Sequence, residues 1–320
     1  MKISVLGAGR WGTFIAWYLN RIGNDVTVYG RSTSESFLKL KETRSNEYVT
    51  LQKSIRFSFD LDESVQNSDV TVISVGAQNL RSLLKSMGEY KKDKVFVLCM
   101  KGIECETGKR LTEVAVEEGV DKQKVAVWVG PGHIQEFVRE KPNCMVIDSY
   151  SEELTRFIAD SFRSDLIRFY YGNDVIGSEV GAAAKNVLGI AAGVLDGLGL
   201  ETLKGALMAR GAREVSRLIG AMGGNPLSAY GLCHLGDYET TLFSKFSQNR
   251  AFGEAFVKGE KYSKLAEGVM TAKAMKKLGE KYNADLPITK AVCAMMFDSA
   301  ASADEILKLF SRSPKSEFYS

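Results

Sequence analysis

A glycine-rich stretch near the start of the chain has the spacing of a dinucleotide-binding turn. Gly7-Ala8-Gly9-Arg10-Trp11-Gly12 follows an apolar run, Lys2 to Leu6, and precedes a predicted helix, Thr13 to Asn20. In such a turn the first glycine permits the sharp bend, the second lets backbone N–H groups approach a pyrophosphate, and the third lets helix and strand pack closely. The N-terminus of the helix then stabilises the anion. The stretch therefore predicts a bound dinucleotide, with contacts from Gly7, Gly9, Arg10, Trp11 and Gly12.

The end of the second predicted strand bears on the choice between NAD and NADP. Turns that select NAD carry a carboxylate about 20 positions after the glycines, where it binds the adenosine ribose hydroxyls. Here the strand ends Tyr29-Gly30-Arg31-Ser32, without a carboxylate. The Arg31 guanidinium can stack on adenine or pair with a 2′-phosphate. We therefore expect the cofactor to be NADP or NAD, with NADPH bound at least as well as NADH.

Lys185 lies on a predicted helix, Gly177 to Leu198, on a face of small residues. Its neighbours at i−4, i−3, i+4 and i+7 are Gly181, Ala182, Gly189 and Ala192. A long amine that rises from such a face can enter a cleft between domains, where partial desolvation lowers its pKa. Such an amine can exchange a proton with a substrate hydroxyl. The alternative interpretation is a surface lysine on an amphipathic helix.

Seven motifs, including the glycine turn, occur in a characteristic order between residue 1 and about residue 311. They are Gly7 to Thr13, Lys101 to Glu104, Gly130 to Gly132, Gly181 to Leu218, Gly236-Asp237, Ser247 to Arg250 and Glu267 to Ala272. The most specific is Ala184 to Gly193, followed by Asp196 to Gly199. In this order the motifs resemble the NAD(P)-dependent glycerol-3-phosphate dehydrogenase family. The resemblance implies an oxidoreductase that interconverts sn-glycerol 3-phosphate and dihydroxyacetone phosphate and supplies glycerophospholipid synthesis.

The resemblance also implies roles for individual residues. The implied catalytic group is Lys185, which transfers the proton, with Asn186, Lys101 and Asp237. Asp237 would orient Lys185 or balance its charge. The resemblance implies that Lys101 contacts both the substrate and the cofactor. Further substrate contacts fall on Gly130, Gly132, Thr241, Ser247, Gln248 and Asn249, and further cofactor contacts on Ile134, Gln248 and Glu267. The family's phosphate and cofactor contacts include Arg250 as well.

The chain departs from the family pattern inside its motifs. Gln248 stands where the family usually has an arginine that lies over phosphate and pyrophosphate. Gly132 takes the place of a serine and so removes a hydroxyl, whereas Arg10 takes the place of a small residue and adds positive charge. His234, two residues before Gly236, is also unusual. These departures bear on whether the substrate carries a phosphate.

Three functions stay open on the sequence alone. The first is a glycerol-3-phosphate dehydrogenase. The second is a divergent reductase of the same architecture that acts on another short hydroxy or keto compound, which the neutral Gln248 would suit. The third is a nucleotide-sensing protein without catalysis, because fold does not establish function. The presence of Lys185, Asn186 and Asp237 argues against the third.

The predicted elements that position these residues follow two different patterns along the chain. Short apolar runs alternate with helical stretches at Ile3 to Leu6, Val26 to Tyr29, Val70 to Val75, Val95 to Met100, Val125 to Val129 and Met145 to Ile147. Such runs are typical of a parallel sheet covered on both faces. Helical spacing alone follows in Gly177 to Leu198, Leu203 to Met222, Tyr262 to Tyr282 and Leu286 to Ala300. We therefore expect an α/β protein with an N-terminal Rossmann-type doubly wound parallel sheet, residues 1–177, and a C-terminal all-helical domain, residues 178–320.

Composition excludes several classes of protein. The 42 basic and 39 acidic residues are interspersed, so no basic stripe predicts nucleic-acid binding. The first apolar run ends at Gly7, too short for a signal segment or a membrane span. Five scattered cysteines predict neither disulfides nor zinc, and no ligand cluster surrounds His133 or His234. We expect a cytoplasmic enzyme without a metal, whose partner is a small phosphorylated molecule; a homodimer is compatible with the sequence.

Overall fold

One sheet organises the N-terminal half of the chain. The computed structural model describes residues 1–264, 266–298, 302–314 and 316–317, and the strands in these residues pair in the order β3-β2-β1-β4-β5-β6-β7-β8. Their bounds are β1 Lys2–Leu6, β2 Asp25–Tyr29, β3 Arg56–Ser58, β4 Val70–Ile73, β5 Val95–Leu98, β6 Val125–Val129, β7 Asn143–Ser149 and β8 Ile167–Tyr171. The order of the first six strands is that of the doubly wound Rossmann sheet, and it reverses direction between β1 and β4. A ligand is expected in the crevice at this switch point.

Helices cover the sheet and then form the rest of the protein. Seven precede residue 170: α1 Arg10–Arg21, α2 Glu35–Thr43, α3 Leu61–Gln66, α4 Leu80–Lys85, α5 Leu111–Glu117, α6 Ile134–Phe137 and α7 Glu152–Phe162. The later ones are α8 Val175–Gly197, α9 Lys204–Ala221, α10 Gln248–Val257, α11 Glu267–Lys281, α12 Pro287–Phe297 and α13 Asp304–Leu307. Past Tyr171 the described residues contain helices and turns but no strand. Within the same described residues, no helix is long and apolar enough to cross a membrane.

The expected fold class is confirmed, with one strand reversed and two added. β7 is antiparallel to β6, because the link through α6 re-enters the sheet at the edge where β6 ends, whereas a parallel pair needs a crossover to the opposite edge. β3 was not predicted because it is a three-residue edge strand. β8, the other edge, alternates buried and exposed residues in Ile167–Tyr171. The predicted division between residues 177 and 178 stays a prediction.

Several elements end or begin away from their predicted bounds. β4 and β5 each stop two residues early, and α1 begins at Arg10 instead of Thr13. α11 begins at Glu267, so that the predicted helical stretch from Tyr262 starts as a loop. The last two residues of the predicted stretch ending at Ala300 lie outside the described residues. The two residues that follow β4 and the two that follow β5 line the cavity described below.

Glycines let α8 and α10 approach until their backbones touch. A Cβ added at Gly193 would lie 1.9 Å from the carbonyl oxygen of Arg250, and one added at Gly253 would lie 2.1 Å from that of Ile190. Contacts this short exclude any side chain, even a methyl group. The close approach fixes α10, which carries part of the predicted site, against the helix that carries Lys185.

We expect Gly193→Ala to lower the free energy of unfolding by about 1–3 kcal/mol, because the added methyl group must push α8 and α10 apart. Gly205→Ala is the matched control. Gly205 is an exposed position in α9 where an added Cβ would meet nothing within 4 Å, so alanine should stabilise the helix by about 0.4–1 kcal/mol. Urea unfolding of both variants measures the difference. Equal effects of the two substitutions would contradict the close contact.

Candidate active site

A cavity of about 550 Å³ opens at the carboxyl ends of β1, β4 and β5, beside α8. This volume lies within the range of about 300–1,000 Å³ that is usual for ligand sites. The walls come from the glycine turn, the segments after β4 and β5, the loop before α6, α8 itself, and the residues around the starts of α10 and α11. The cavity therefore lies between the sheet and the later helices, at the switch point of the sheet.

Most of the predicted site residues line this cavity. They are Gly9, Arg10, Trp11, Lys101, Gly132, Ile134, Lys185, Asn186, Thr241, Ser247, Gln248, Asn249 and Glu267. Gly7, Gly12, Gly130 and Asp237 are not among the lining residues, although Gly130 and Asp237 both contact Lys101, which is. Arg31 is exposed after β2 and does not line the cavity. The role of each residue stays a prediction.

The glycine turn has the geometry that a dinucleotide requires. Gly7 has φ +110°, and a Cβ there would lie 2.4 Å from the carbonyl oxygen of Ser74. A Cβ at Gly12 would lie 2.0 Å from the carbonyl oxygen of Gly7. Gly9 is the N-cap of α1 and has open space around its Cα. The first N–H groups of α1 have no partner within the helix, so they can bind an anion.

Two lysines share one buried carboxylate at the inner end of the cavity. Lys185 Nζ lies 2.7 Å from Asp237 Oδ2, and Lys101 Nζ lies 2.8 Å from the same oxygen. Lys185 Nζ also donates to Thr241 Oγ1 at 2.8 Å. Lys101 Nζ donates to the carbonyl oxygen of Gly130 at 2.6 Å. Asp237 has no exposed surface, so it must be held by its partners.

The electrostatics of this group suit proton exchange near neutral pH. Burial lowers the pKa of Lys185 to about 7, against the opposing attraction of Asp237. Burial alone would raise the pKa of Asp237, but Lys101 and Lys185 hold it below its ordinary value. Asp237 is therefore ionised, while Lys185 can be either an amine or an ammonium group near pH 7. Burial and then the charge of Lys185 also lower the pKa of His133.

The small residues around Lys185 act differently from the expectation of a bare helix face. A Cβ at Gly181 would lie 3.0 Å from His234 Cβ, and one at Gly189 would lie 3.0 Å from Thr241 Cγ2. Neighbouring segments therefore pack directly on this face of α8. Lys185 is only 7% exposed as a result. The small residues lower the pKa of Lys185 by letting other segments bury it, not by leaving space around it.

Asn186 connects α8 to the segment after β5. Its Nδ2 donates to the backbone oxygen of Lys101 at 3.2 Å. Its own backbone oxygen approaches α11 so closely that a Cβ at Gly268 would lie 2.5 Å from it. Asn186 thus fixes the backbone of one catalytic candidate, Lys101, relative to the helix that carries the other.

The stretch Ser247 to Arg250 divides between the cavity and the interior. Ser247 Oγ caps α10 by accepting from the backbone N–H of Arg250, and Asn249 Oδ1 accepts from that of Gly268 at 2.9 Å. Gln248 lines the cavity, where its Oε1 accepts from the Tyr262 hydroxyl at 2.7 Å.

The Arg250 guanidinium pairs with two carboxylates away from the cavity lining. Its Nη1 lies 2.8 Å from both Asp196 and Glu254. Its Nε donates to the backbone oxygen of Ser244 at 3.1 Å. These contacts hold α10 against the end of α8. Arg250 does not line the cavity, and the phosphate contact that the resemblance implied for it stays a prediction.

Sequence reasoning missed part of the cavity wall. Ser74, Val75, Gly76, Cys99 and Met100 follow β4 and β5 and were assigned in part to those strands. The rule that ligands lie beyond the carboxyl ends of parallel strands could have identified them. Glu47, Tyr48, Gln135, Thr240, Phe246 and Lys264 also line the cavity. Gln135 lies in the one-turn helix α6 and Thr240 in a single helical turn, whereas the others come from loops, whose sequences show no periodic spacing. His133 lines the cavity as well, with its ring 5.5 Å from that of Phe246.

Two family models match this chain, and both describe the same family. Residues 2–155 match the family model for the N-terminus of NAD-dependent glycerol-3-phosphate dehydrogenase, and residues 174–308 match the model for its C-terminus. The chain is 36% identical to a glycerol-3-phosphate dehydrogenase [NAD(P)+] of Prosthecochloris aestuarii, over 99% of this chain and 100% of the relative. It is 35% identical to that of a Thermoanaerobacter species, over 100% and 99%. The solved structure of glycerol-3-phosphate dehydrogenase from Coxiella burnetii superposes with a TM-score of 0.89 at 25% identity, over 97% of this chain and 99% of that one.

Proposed function

The chain belongs to the NAD-dependent glycerol-3-phosphate dehydrogenase family, and we propose that it interconverts sn-glycerol 3-phosphate and dihydroxyacetone phosphate with NADPH or NADH. The proposal rests chiefly on one observation. A buried lysine, Lys185, reaches a cavity that also contains the glycine turn, and its pKa of about 7 suits a group that must both accept and donate a proton.

The residues of the cavity fit a nicotinamide dinucleotide. The turn Gly7 to Gly12 requires glycine at both ends, where a Cβ would strike backbone atoms, and has open space for a phosphate beside Gly9. Arg10 and the N-terminus of α1 would hold the pyrophosphate, and Trp11, Ile134, Gln248 and Glu267 lie further along the same cavity. When bound, the cofactor accepts or supplies the hydride. All remaining steps belong to the protein and the substrate.

In this mechanism Lys185 Nζ, as a neutral amine, removes the proton of the C2 hydroxyl of glycerol 3-phosphate. As an ammonium group, it returns that proton when dihydroxyacetone phosphate is reduced. Asp237 holds the amine in place from behind, and its negative charge stabilises the ammonium form. Lys101, on the same carboxylate, presents a second positive charge to the substrate oxygens. Thr241 Oγ1, which accepts from Lys185, fixes the direction of the amine.

We expect the two directions of the reaction to depend on pH with opposite sign. Oxidation requires the neutral amine, so kcat for glycerol 3-phosphate should rise as pH passes through the Lys185 pKa of about 7. Reduction requires the ammonium form, so kcat for dihydroxyacetone phosphate should fall over the same interval. Initial rates at saturating NADP or NADPH measure both profiles. The substrate phosphate also titrates at about pH 6, but it is present in both directions and should move them alike. Parallel profiles would exclude Lys185 as the group that titrates.

We expect NADPH to bind at least as tightly as NADH, because no carboxylate follows β2 and Arg31 is free to meet a 2′-phosphate. Arg31→Ala should lower the affinity for NADPH by roughly tenfold, the value of a hydrogen-bonded charge, and leave NADH affinity nearly unchanged. Quenching of tryptophan fluorescence measures both dissociation constants. Arg163→Ala is the control, since Arg163 is an exposed arginine after α7, beside the opposite edge of the sheet. A preference for NADH that Arg31→Ala leaves unchanged would make Arg31 a solvated surface residue.

The setting proposed for this activity is cytoplasmic glycerophospholipid synthesis. Its support is that all five cysteines are free, as expected for a reducing compartment. The proposed partner is a small phosphorylated substrate. A homodimer stays a prediction, which sedimentation velocity would test.

One observation favours a second candidate, a reductase of unphosphorylated short ketones. Gln248, which lines the cavity, is neutral and bonds to Tyr262. Among the lining residues the basic side chains Arg10, Lys101, Lys185 and Lys264 nevertheless outnumber the acidic ones, Glu47 and Glu267, which suits a phosphate ester better.

A further inference from the structure

The carboxylate that serves Lys185 lies on a short turn that must itself be held in place. Asp237 is the last residue of a 3₁₀ turn, Leu235–Asp237. His234 precedes this turn and Tyr238 follows it. All three polar side chains at its ends have no exposed surface. A one-turn helix has too few internal hydrogen bonds to be rigid by itself, so its position depends on what these side chains contact.

The His234 ring joins both ends of this turn to α8. Nδ1 lies 2.9 Å from the backbone oxygen of Gly181, and Nε2 lies 2.6 Å from the Tyr238 hydroxyl. Burial lowers the pKa of His234 to about 4, so the ring is neutral at physiological pH. The bonding pattern then assigns the tautomer: Nδ1–H donates to the Gly181 oxygen, and the Tyr238 hydroxyl donates to Nε2.

The point of attachment on α8 lies one helical turn before Lys185. In an α-helix the carbonyl of residue 181 also accepts the backbone N–H of residue 185. His234 therefore bonds to the same oxygen that anchors the backbone of Lys185. Two glycines make room for this arrangement. A Cβ at Gly181 would lie 3.0 Å from His234 Cβ, and one at Gly211 would lie 3.1 Å from the Tyr238 oxygen.

We propose that His234 and Tyr238 are positioning residues for Lys185, because together they fasten the Asp237 turn to the helix that carries the lysine. Neither His234 nor Tyr238 is among the residues that line the cavity. It acts by fixing the separation of Lys185 Nζ and Asp237 Oδ2 at 2.7 Å. This inference rests on the proposed function only in assigning Lys185 as the proton-transfer group; the geometry of the turn is independent of the substrate.

Charged and titratable groups from several elements face Lys185 or the His234–Tyr238 pair. Lys101, His133, Asp237 and Glu267 face Lys185 from the segment after β5, the loop before α6, the 3₁₀ turn and α11. Glu214 of α9 and Tyr230 face Tyr238. Among the groups around Lys185, Asp237 is the nearest one with negative charge, and it raises the lysine pKa against burial. Loosening the turn should therefore lower that pKa.

The test compares two tyrosine-to-phenylalanine substitutions that each remove one buried hydroxyl. Tyr238→Phe breaks the bond to His234, whereas Tyr18→Phe breaks bonds to the backbone of Phe162 and to Ser164, at the end of α7. We expect Tyr238→Phe to lower kcat roughly threefold to tenfold, the loss of one hydrogen bond, with KM little changed. Its kinetic pKa should fall by about half a unit. Tyr18→Phe should lower the midpoint of unfolding similarly but change neither kcat nor the kinetic pKa.

A second measurement separates this inference from the proposed function. Competitive labelling with acetic anhydride across a pH series, read on the Lys185 peptide by mass spectrometry, gives the pKa of the amine without any substrate. If wild type reduces no ketone, the proposed function fails, yet a lower labelling pKa in Tyr238→Phe would still support the positioning role. An unchanged or raised pKa in Tyr238→Phe would overturn it. His234→Gln, whose amide can both donate and accept, should retain more activity than His234→Ala; equal loss in both would also overturn it.

Discussion

Lys185→Met is expected to lower kcat by about 10²- to 10⁴-fold, the usual contribution of a general acid–base group, while the dissociation constant of NADPH stays close to that of wild type. Methionine keeps the length and apolar stem of the side chain but removes the amine. Asp237 retains Lys101 as a partner at 2.8 Å, so the substitution leaves no unpaired buried charge. Stopped-flow single turnovers and fluorescence titration measure the two quantities.

Lys204→Met supplies the matched control for this result. Lys204 is another lysine only 7% exposed, and its Nζ lies 2.6 Å from Asp196, but it does not line the cavity. Asp196 also keeps a second partner, Arg250 at 2.8 Å, so the replacement should lower stability only through the lost ion pair and leave kcat within about twofold. If Lys185→Met kept more than half of the wild-type kcat, Lys185 would have no part in the proton transfer. Equal losses in both variants would indicate a general effect of removing a buried lysine.

Gln248→Arg is expected to raise kcat/KM for dihydroxyacetone phosphate relative to dihydroxyacetone by roughly tenfold to a hundredfold, since a hydrogen bond to a charged group contributes about 1.5–3 kcal/mol. Gln248 lines the cavity, and its present partner is the Tyr262 hydroxyl. An arginine there would add a charged donor for the phosphate. Steady-state rates with the two ketones give the ratio directly.

Gln135→Arg controls for positive charge alone, because Gln135 is another glutamine of the same cavity. It should change the ratio far less than Gln248→Arg. Arg10 lines the cavity too, and a smaller gain would mean that it already supplies the charge. Arg10→Ala combined with Gln248→Arg should then restore the full gain. A wild type that prefers dihydroxyacetone, together with an arginine variant that lowers this activity without conferring any on the phosphate ester, would favour the second candidate function.

Local physics predicted the glycine turn, because each requirement of a dinucleotide falls on a residue type at a fixed spacing. Gly7 and Gly12 have no room for a Cβ, as the motif demands. Lys185 could be singled out from its small neighbours, but its partner Asp237, far along the chain, was identified only through the resemblance to a family. Pairing between distant residues leaves no periodic trace in one sequence.

Other features escaped prediction for identifiable reasons. The antiparallel direction of β7 depends on the edge at which the chain re-enters the sheet. A run of apolar residues has the same pattern in a parallel and in an antiparallel strand, so the sequence does not predict this direction. The inward pairing of Arg250 with Asp196 depends on the packing of α10 on α8, which a motif comparison does not contain. The bond between His234 and Tyr238 spans a single turn, yet only the approach of Gly181 explains why the ring is buried there.

The most direct test of the central claim is to trace the hydrogen that is transferred from NADPH to the product. NADPH that carries deuterium at both positions of nicotinamide C4 is incubated with dihydroxyacetone phosphate, and the product is examined by mass spectrometry and NMR. The account predicts sn-glycerol 3-phosphate with one deuterium on C2, formed by wild type and about 10²- to 10⁴-fold more slowly by Lys185→Met. It would be contradicted if NADPH bound and its deuterium appeared in the product of an unphosphorylated ketone, while none reached C2 of the phosphate ester.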